Sequence, residues 1–182
     1  MNKIIVIDIE TTGLNPRYGL ILEIGIIELN LDTGDTKIIF DSYVKEPAFG
    51  DEHRNSWIFE NSDLNFEKVE KAPLLDDLRQ EIQDIFLKHP VTAFNKSFDL
   101  GFLKSRGFEF PNELPCIMLT STNICKIHSR NRMKKYKWPK VQEAWDFFFP
   151  NSDYIEKHRA ADDAAHEAKI LYEMYQSGLF SL

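Results

Sequence analysis

The stretch that decides the fold is IVIDIETTGL, residues 5–14. An apolar run leads into two acidic residues, Asp8 and Glu10, which flank one isoleucine before the chain reaches Thr11, Thr12, Gly13 and Leu14. Side chains alternate along a strand, so residues 8 and 10 point the same way. Two carboxylates on one face repel, and each loses solvation if buried. No Lys or Arg stands between them to offset this. A metal ion is the natural counter-charge.

Outward from this stretch, the first 45 residues read as three strands: KIIVIDI (3–9), GLILEIGIIELN (19–30) and KIIFDSYVK (37–45). DTGDT (32–36) predicts a tight hairpin turn between the last two, because Asp and Gly tolerate the dihedrals it needs. A long connection over 46–61 follows, and then the periodicity becomes helical. SDLNFEKVEKA (62–72) predicts a short helix. LLDDLRQEIQDIFLKH (74–89) has apolar residues at 74, 75, 78, 82, 85 and 86, one helical face. PVTAFN (90–95) reads as a brief buried strand. SFDLGFLKSRG follows as a helix with Ser97 as its N-cap and Gly107 just past its end. PCIML (115–119) is expected as a fifth strand. KVQEAWDFFF and HRAADDAAHEAKILYEMYQ close the chain as helices. The last carries small and apolar residues at 161, 164, 165, 168, 171, 172 and 175, a stripe suited to packing on a sheet. Hairpin strands first and strand–helix alternation later imply an α/β fold, a mixed sheet flanked by helices.

Length and composition agree with this reading. The 182 residues are expected to form one domain, 1–182, with a substantial core. Apolar content is 43%, 14 residues are Phe, and the apolar runs are too short or interrupted to span a bilayer. MNKIIVID enters a strand at once, without a signal-peptide layout. Cys116 and Cys125 fit neither a disulfide scaffold nor a CxxC zinc site, so a reducing cytoplasm is expected. The net charge of −7 weighs against a general nucleic-acid coat protein but not against an enzyme that cuts phosphodiesters, since bound cations reverse a local acidic field.

Two further acidic segments join the first. Asp99 falls in the first turn of the helix after VTAFN. Asp162 and Asp163 fall in the first turn of the last helix, with His158 five residues before Asp163. In open α/β sheets, strand ends and the starts of the following helices form the usual site crevice. Four carboxylates gathered there suit hard, oxygen-preferring cations such as Mg²⁺ or Mn²⁺. Each piece has a bland reading when taken alone. Asp99 would favour a helix N-terminus through the dipole, as Asp162 is expected to do. A lone His158 would be a surface or capping residue.

Taken together, DIETTGL, FNKSFD and HRAADD resemble the three motifs of the DEDDh 3′–5′ exonucleases. That family includes the proofreading parts of bacterial replicative polymerases, ribonuclease T and oligoribonuclease. The resemblance covers residues 8 to 163, in the family's order. It implies a ribonuclease H-like fold with a central five-stranded mixed sheet. It further implies that Asp8, Glu10, Asp99 and Asp163 hold two divalent metal ions and that His158 is the general base. The family spacing selects Asp163 over Asp162. By the same resemblance, the backbone around Thr11, Thr12 and Gly13 holds the 3′-terminal nucleotide, Leu14 wedges between the last two bases, and Phe98 packs near the terminal sugar or base. One departure is visible: many relatives have His where Phe94 stands here, a position outside the catalytic set.

The expected activity is removal of nucleoside 5′-monophosphates from the 3′ end of single-stranded DNA or RNA, without a membrane partner. A DNA polymerase or a second copy of the chain are the candidate protein partners. The stretch 126–140 carries seven Lys or Arg with Tyr136 and Trp138 among them. It reads either as a solvated loop or as a strip that tracks phosphates and stacks bases. An aspartyl-phosphate phosphatase of the haloacid dehalogenase type is disfavoured, because its first motif is DxD and here the second acid is Glu10. A nuclease-fold domain that binds without cutting is the other alternative, but no motif acid is missing.

Overall fold

The computed structural model describes residues 3–130, 133 and 135–182. Strands β1 (Lys3–Thr11), β2 (Ile21–Asn30) and β3 (Thr36–Tyr43) form an antiparallel meander. Strand β4 (Val91–Thr92) pairs in parallel with β1, giving the order β3-β2-β1-β4. The β2–β3 turn closes where expected: the Gly34 amide donates to the Asn30 carbonyl at 2.7 Å. Gly34 has φ +80°, a conformation glycine adopts without steric cost.

Both faces of β1 are covered, which explains its nearly unbroken apolar run. Ile5, Ile7 and Ile9 pack with Leu75, Ile82, Phe86, Leu100, Phe102 and Leu103. These come largely from α3 (Arg79–Lys88) and α4 (Lys96–Ser105). Ile4 and Val6 on the other face pack with residues of α5 (Ile117–Cys125), α6 (Val141–Phe148) and α7 (Ala160–Gln176). Each isoleucine so buried contributes roughly 1.5–3 kcal/mol. Asp8 and Glu10 continue the line of Ile4 and Val6 and therefore lie on the α7 side. A smaller apolar cluster (Leu20, Leu22, Phe49, Ile58, Leu64, Phe66, Val69) underlies the connection after β3. This segment holds a 3-10 turn and two short helices, α1 (Trp57–Asn61) and α2 (Phe66–Glu70).

Three local expectations are corrected. PCIML is not a strand; Cys116 precedes α5, and the fifth-strand position is held by a single parallel bridge between Val91 and Glu113. The next residue but one is Pro115, which has no amide to extend a ladder, and the chain turns into a helix. The sheet thus has four strands among the described residues, with the fold class unchanged. Asn95, not Ser97, occupies the N-cap of α4, because the chain leaves the strand early; Ser97 sits in the first turn and donates to Asn95 Oδ1. The buried face of α7 is rotated from the expected stripe: Ala165, Tyr172 and Tyr175 are only partly buried, while Asp163, Glu167 and Met174 are buried.

Candidate active site

Close approach of α7 to the sheet brings the acidic segments together. Gly25 lies opposite Asp8 in the β1–β2 ladder. A side-chain carbon added there would come within 2.3 Å of the Ala160 carbonyl carbon and the Ala161 nitrogen. Glycine therefore admits the start of α7 directly over β2. Beside it, Glu23 is almost fully buried and holds Arg159 with both carboxylate oxygens while accepting the Ala160 amide. This ion pair fastens the entry of α7 to the sheet across 136 residues of sequence.

Asp8, Glu10, Asp99, His158 and Asp163 all line one small cavity of about 190 Å³. Asp162 does not; it faces a different hollow with Lys157 and Arg159, and forms an ion pair with Lys157. Asp163 reaches back to accept the Arg159 amide at 3.0 Å, and the Tyr154 hydroxyl donates to its Oδ1 at 2.6 Å. One ligand atom each from Glu10, His158 and Asp163 lie within 4.8 Å of one another. His158 sits in the left-handed region at φ 54°, edge-on to Trp57 with ring centroids 5.2 Å apart.

Two further acids share the cavity, Glu156 and Glu167, and no Lys or Arg lines it. Sequence reading missed both. Glu167 carried a signal, since it stands one helical turn after Asp163 within an otherwise small and apolar stripe. Glu156 carried none, because it lies in a loop without periodicity.

The electrostatics follow from this crowding. Asp8 keeps some accessible surface, yet the protein packed around it desolvates its carboxylate; with Glu167, Asp99, Glu10 and Asp163 nearby, its pKa is well above the usual range. Burial, then Asp163 and Glu23, raise Glu10 in the same way. Asp99 is pushed up to about 8 by burial, against the opposing effect of the amides of Asp99 and Ile9. Its Oδ1 is buried with no hydrogen-bond partner. Burial also raises Glu167, with Asp99 and Asp163 adding to it. An orphaned carboxylate oxygen among like charges fits a divalent cation, which would reverse each of these penalties.

A larger cleft of about 500 Å³ adjoins the acids, lined by Ile9, Glu10, Thr11–Leu14, Trp57, Ile58, Phe98 and His158. The Thr11 hydroxyl donates to the Gly13 carbonyl, and the Thr12 hydroxyl accepts the Leu20 amide. These side chains shape the loop, leaving Leu14 at the rim with 88% of its surface exposed. Arg106 braces the loop from behind, donating to the carbonyls of Pro16 and Gly19 and to Glu46. Phe98 is half-buried against Phe102. Phe94 is core, and its amide donates to Glu167. In the stretch 126–140, His128 and Tyr136 form an antiparallel bridge and Lys137 pairs with Glu143. Arg132 and Lys134 of that stretch lie outside the described residues.

Comparison with known proteins identifies the family and the fold. A family model described as "Exonuclease" (RNase_T) matches residues 5–171. The chain is 25% identical over 175 residues to a PolC-type DNA polymerase III of Caldanaerobacter subterraneus subsp. tengcongensis, covering 96% of this chain and 12% of that protein. It is 27% identical over 175 residues to the 3′-5′ exonuclease DinG of Staphylococcus haemolyticus, covering 94% of this chain and 18% of that one. The chain therefore spans less than a fifth of either relative's length. Among solved structures, the nuclease domain of 3′hExo, a DEDDh family member bound to rAMP, superposes with a TM-score of 0.69 at 19% identity, over 97% of this chain and 93% of that one. Pop2p of S. pombe in a Mg²⁺- and Mn²⁺-bound form superposes with a TM-score of 0.70 at 13% identity, over 95% and 82%. The fold is thus that of the ribonuclease H-like exonucleases, and by its sequence the chain belongs to the RNase_T exonuclease family.

Proposed function

We propose that this chain is a metal-dependent 3′–5′ exonuclease acting on single-stranded DNA or RNA ends and releasing nucleoside 5′-monophosphates. The observation that carries the reading is the small cavity itself: six carboxylates and His158 line it with no cationic side chain, and Asp99 Oδ1 is buried without a partner. Asp8, Glu10, Asp99 and Asp163 would hold two divalent ions, Mg²⁺ or Mn²⁺. Bound there, the ions would supply the charge that stabilises both the attacking and the leaving oxygen of the scissile phosphodiester.

The chain's own residues do the rest. His158 accepts a proton from the attacking water, the role a neutral imidazole serves near neutral pH. Glu156, 4.0 Å from His158 Nδ1, stabilises the imidazolium so formed. The backbone of Thr11–Gly13 receives the terminal nucleotide, while Leu14 and Phe98 supply apolar contact for its base and sugar. The cleft beside the acids, which shares Glu10 and His158 with their cavity, supports this reading by offering room for a chain end. Similarity to a segment of PolC-type polymerases supports a polymerase as partner and makes DNA the first substrate to try.

The test is a gel time course on matched 5′-labelled single-stranded DNA and RNA in Mg²⁺ and in Mn²⁺, with Asp8→Ala and His158→Ala alongside. A ladder shortening from the 3′ end, abolished in Asp8→Ala and slowed about 10²–10⁴-fold in His158→Ala, is expected. No ladder on either substrate from folded, metal-supplied protein would leave a binding domain as the reading.

A further inference from the structure

Glu167 is a carboxylate that the four-acid, one-histidine set leaves unused. It follows Asp163 by one turn of α7 and shares that residue's face. Only 2% of its surface is exposed, and no Lys or Arg pairs with it among the described residues. Its neighbours on the buried face are Ala164, Ala168 and Leu171, where an apolar side chain would fit at no electrostatic cost. The hydrogen bond it receives is a long one, from the Phe94 amide at 3.3 Å. A single weak donor does not offset the desolvation of an ionised carboxylate in a protein interior.

Its position within the cavity gives it a partner. It shares that cavity with Glu10, Asp163 and His158, whose ligand atoms lie within 4.8 Å of one another. Glu167 lines the same small cavity as Asp8 and Asp99. In that cavity Asp99 Oδ1 is buried and unpartnered, independent evidence that a ligand belongs there. We propose that Glu167 is a fifth carboxylate of the metal centre, holding a cation together with other acids of the same cavity. This rests on the metal-centre reading above and assigns one more ligand to it.

The experiment is calorimetric titration of Mn²⁺ into the EDTA-stripped 182-residue chain, for wild type, Glu167→Gln and Glu167→Asp. Melting of each stripped protein serves as the control for folding. Gln keeps an acceptor for the Phe94 amide and removes only the charge, so a purely structural Glu167 predicts unchanged Mn²⁺ binding. The expected result is two Mn²⁺ per wild-type chain and a loss of at least 10-fold in affinity at one site of Glu167→Gln. Glu167→Asp, with a carboxylate one methylene shorter, should fall between the two, and it carries the test if the Gln variant does not fold. Water-proton relaxation by bound Mn²⁺ should rise in Glu167→Gln as a water replaces the carboxylate. Wild-type affinities retained at both sites in either variant would overturn the assignment while leaving the metal centre intact. Absence of Mn²⁺ binding to wild type would overturn the metal centre itself.

Discussion

Removing metal from this protein should make its stability fall as pH rises, and Asp99 shows by how much. Unfolded, its carboxyl titrates near 3.8; folded and without metal, it titrates at about 8. Between those values the folded state holds a proton that the unfolded chain has released. The unfolded state therefore binds fewer protons, and unfolding becomes easier with each step up in pH. At about 1.36 kcal/mol per pH unit, a rise from about pH 5 to about pH 8 removes on the order of 4 kcal/mol through this residue alone. For a domain of this length, that is a fall in Tm of about 8–16 °C. Asp8, Glu10 and Glu167 shift in the same direction and steepen the slope. Thermal melts followed by circular dichroism across this range, in EDTA and in Mn²⁺, measure the effect. In Mn²⁺ the slope should flatten or invert, because a cation selects the ionised carboxylates. Asp99→Asn should melt higher than wild type in EDTA at the alkaline end. A flat Tm in EDTA, or equal slopes with and without Mn²⁺, would refute the reasoning.

Gly25→Ala forces the start of α7 off β2, since the new carbon meets backbone rather than a movable side chain. It should cost about 1–3 kcal/mol in urea unfolding and lower kcat about 10²-fold through displacement of Asp163, so wild-type turnover would contradict the packing argument. Tyr154→Phe removes the hydroxyl that orients Asp163, and Mn²⁺ affinity by calorimetry should drop roughly 10–100-fold; an unchanged Kd would show that the backbone amides suffice. Arg106→Ala breaks a largely buried pair with Glu46 and frees the carbonyls of Pro16 and Gly19. A destabilisation of about 3–5 kcal/mol is expected, with a rise in KM exceeding the fall in kcat because the loop carrying Leu14 loosens. A KM equal to wild type would separate Arg106 from the loop's function.

Local patterns carried much of this molecule. Period-two alternation placed Asp8 and Glu10 on one face, and apolar runs bounded by DTGDT marked the β-meander, whereas the choice of Asp163 over Asp162 came from the spacing that the family resemblance implies. The first two signals lie within a few residues of chain, where backbone geometry alone dictates which side chains coincide. Other features depended on elements distant in sequence. PCIML has strand-like composition, yet Pro115 and packing beside β4 turn it into the start of α5. The meeting of Glu167 with Asp8 and Asp99 needs α7 to lie close on the sheet, which Gly25 permits and the Glu23–Arg159 pair secures. Burial and Coulomb repulsion, and with them the raised carboxyl of Asp99, exist only once those elements pack. The sequence by itself determined which residues could bear the chemistry, because residue type and local period are written in it. The tertiary structure decided how many acids share one small volume, because that number depends on how closely a helix can approach a sheet.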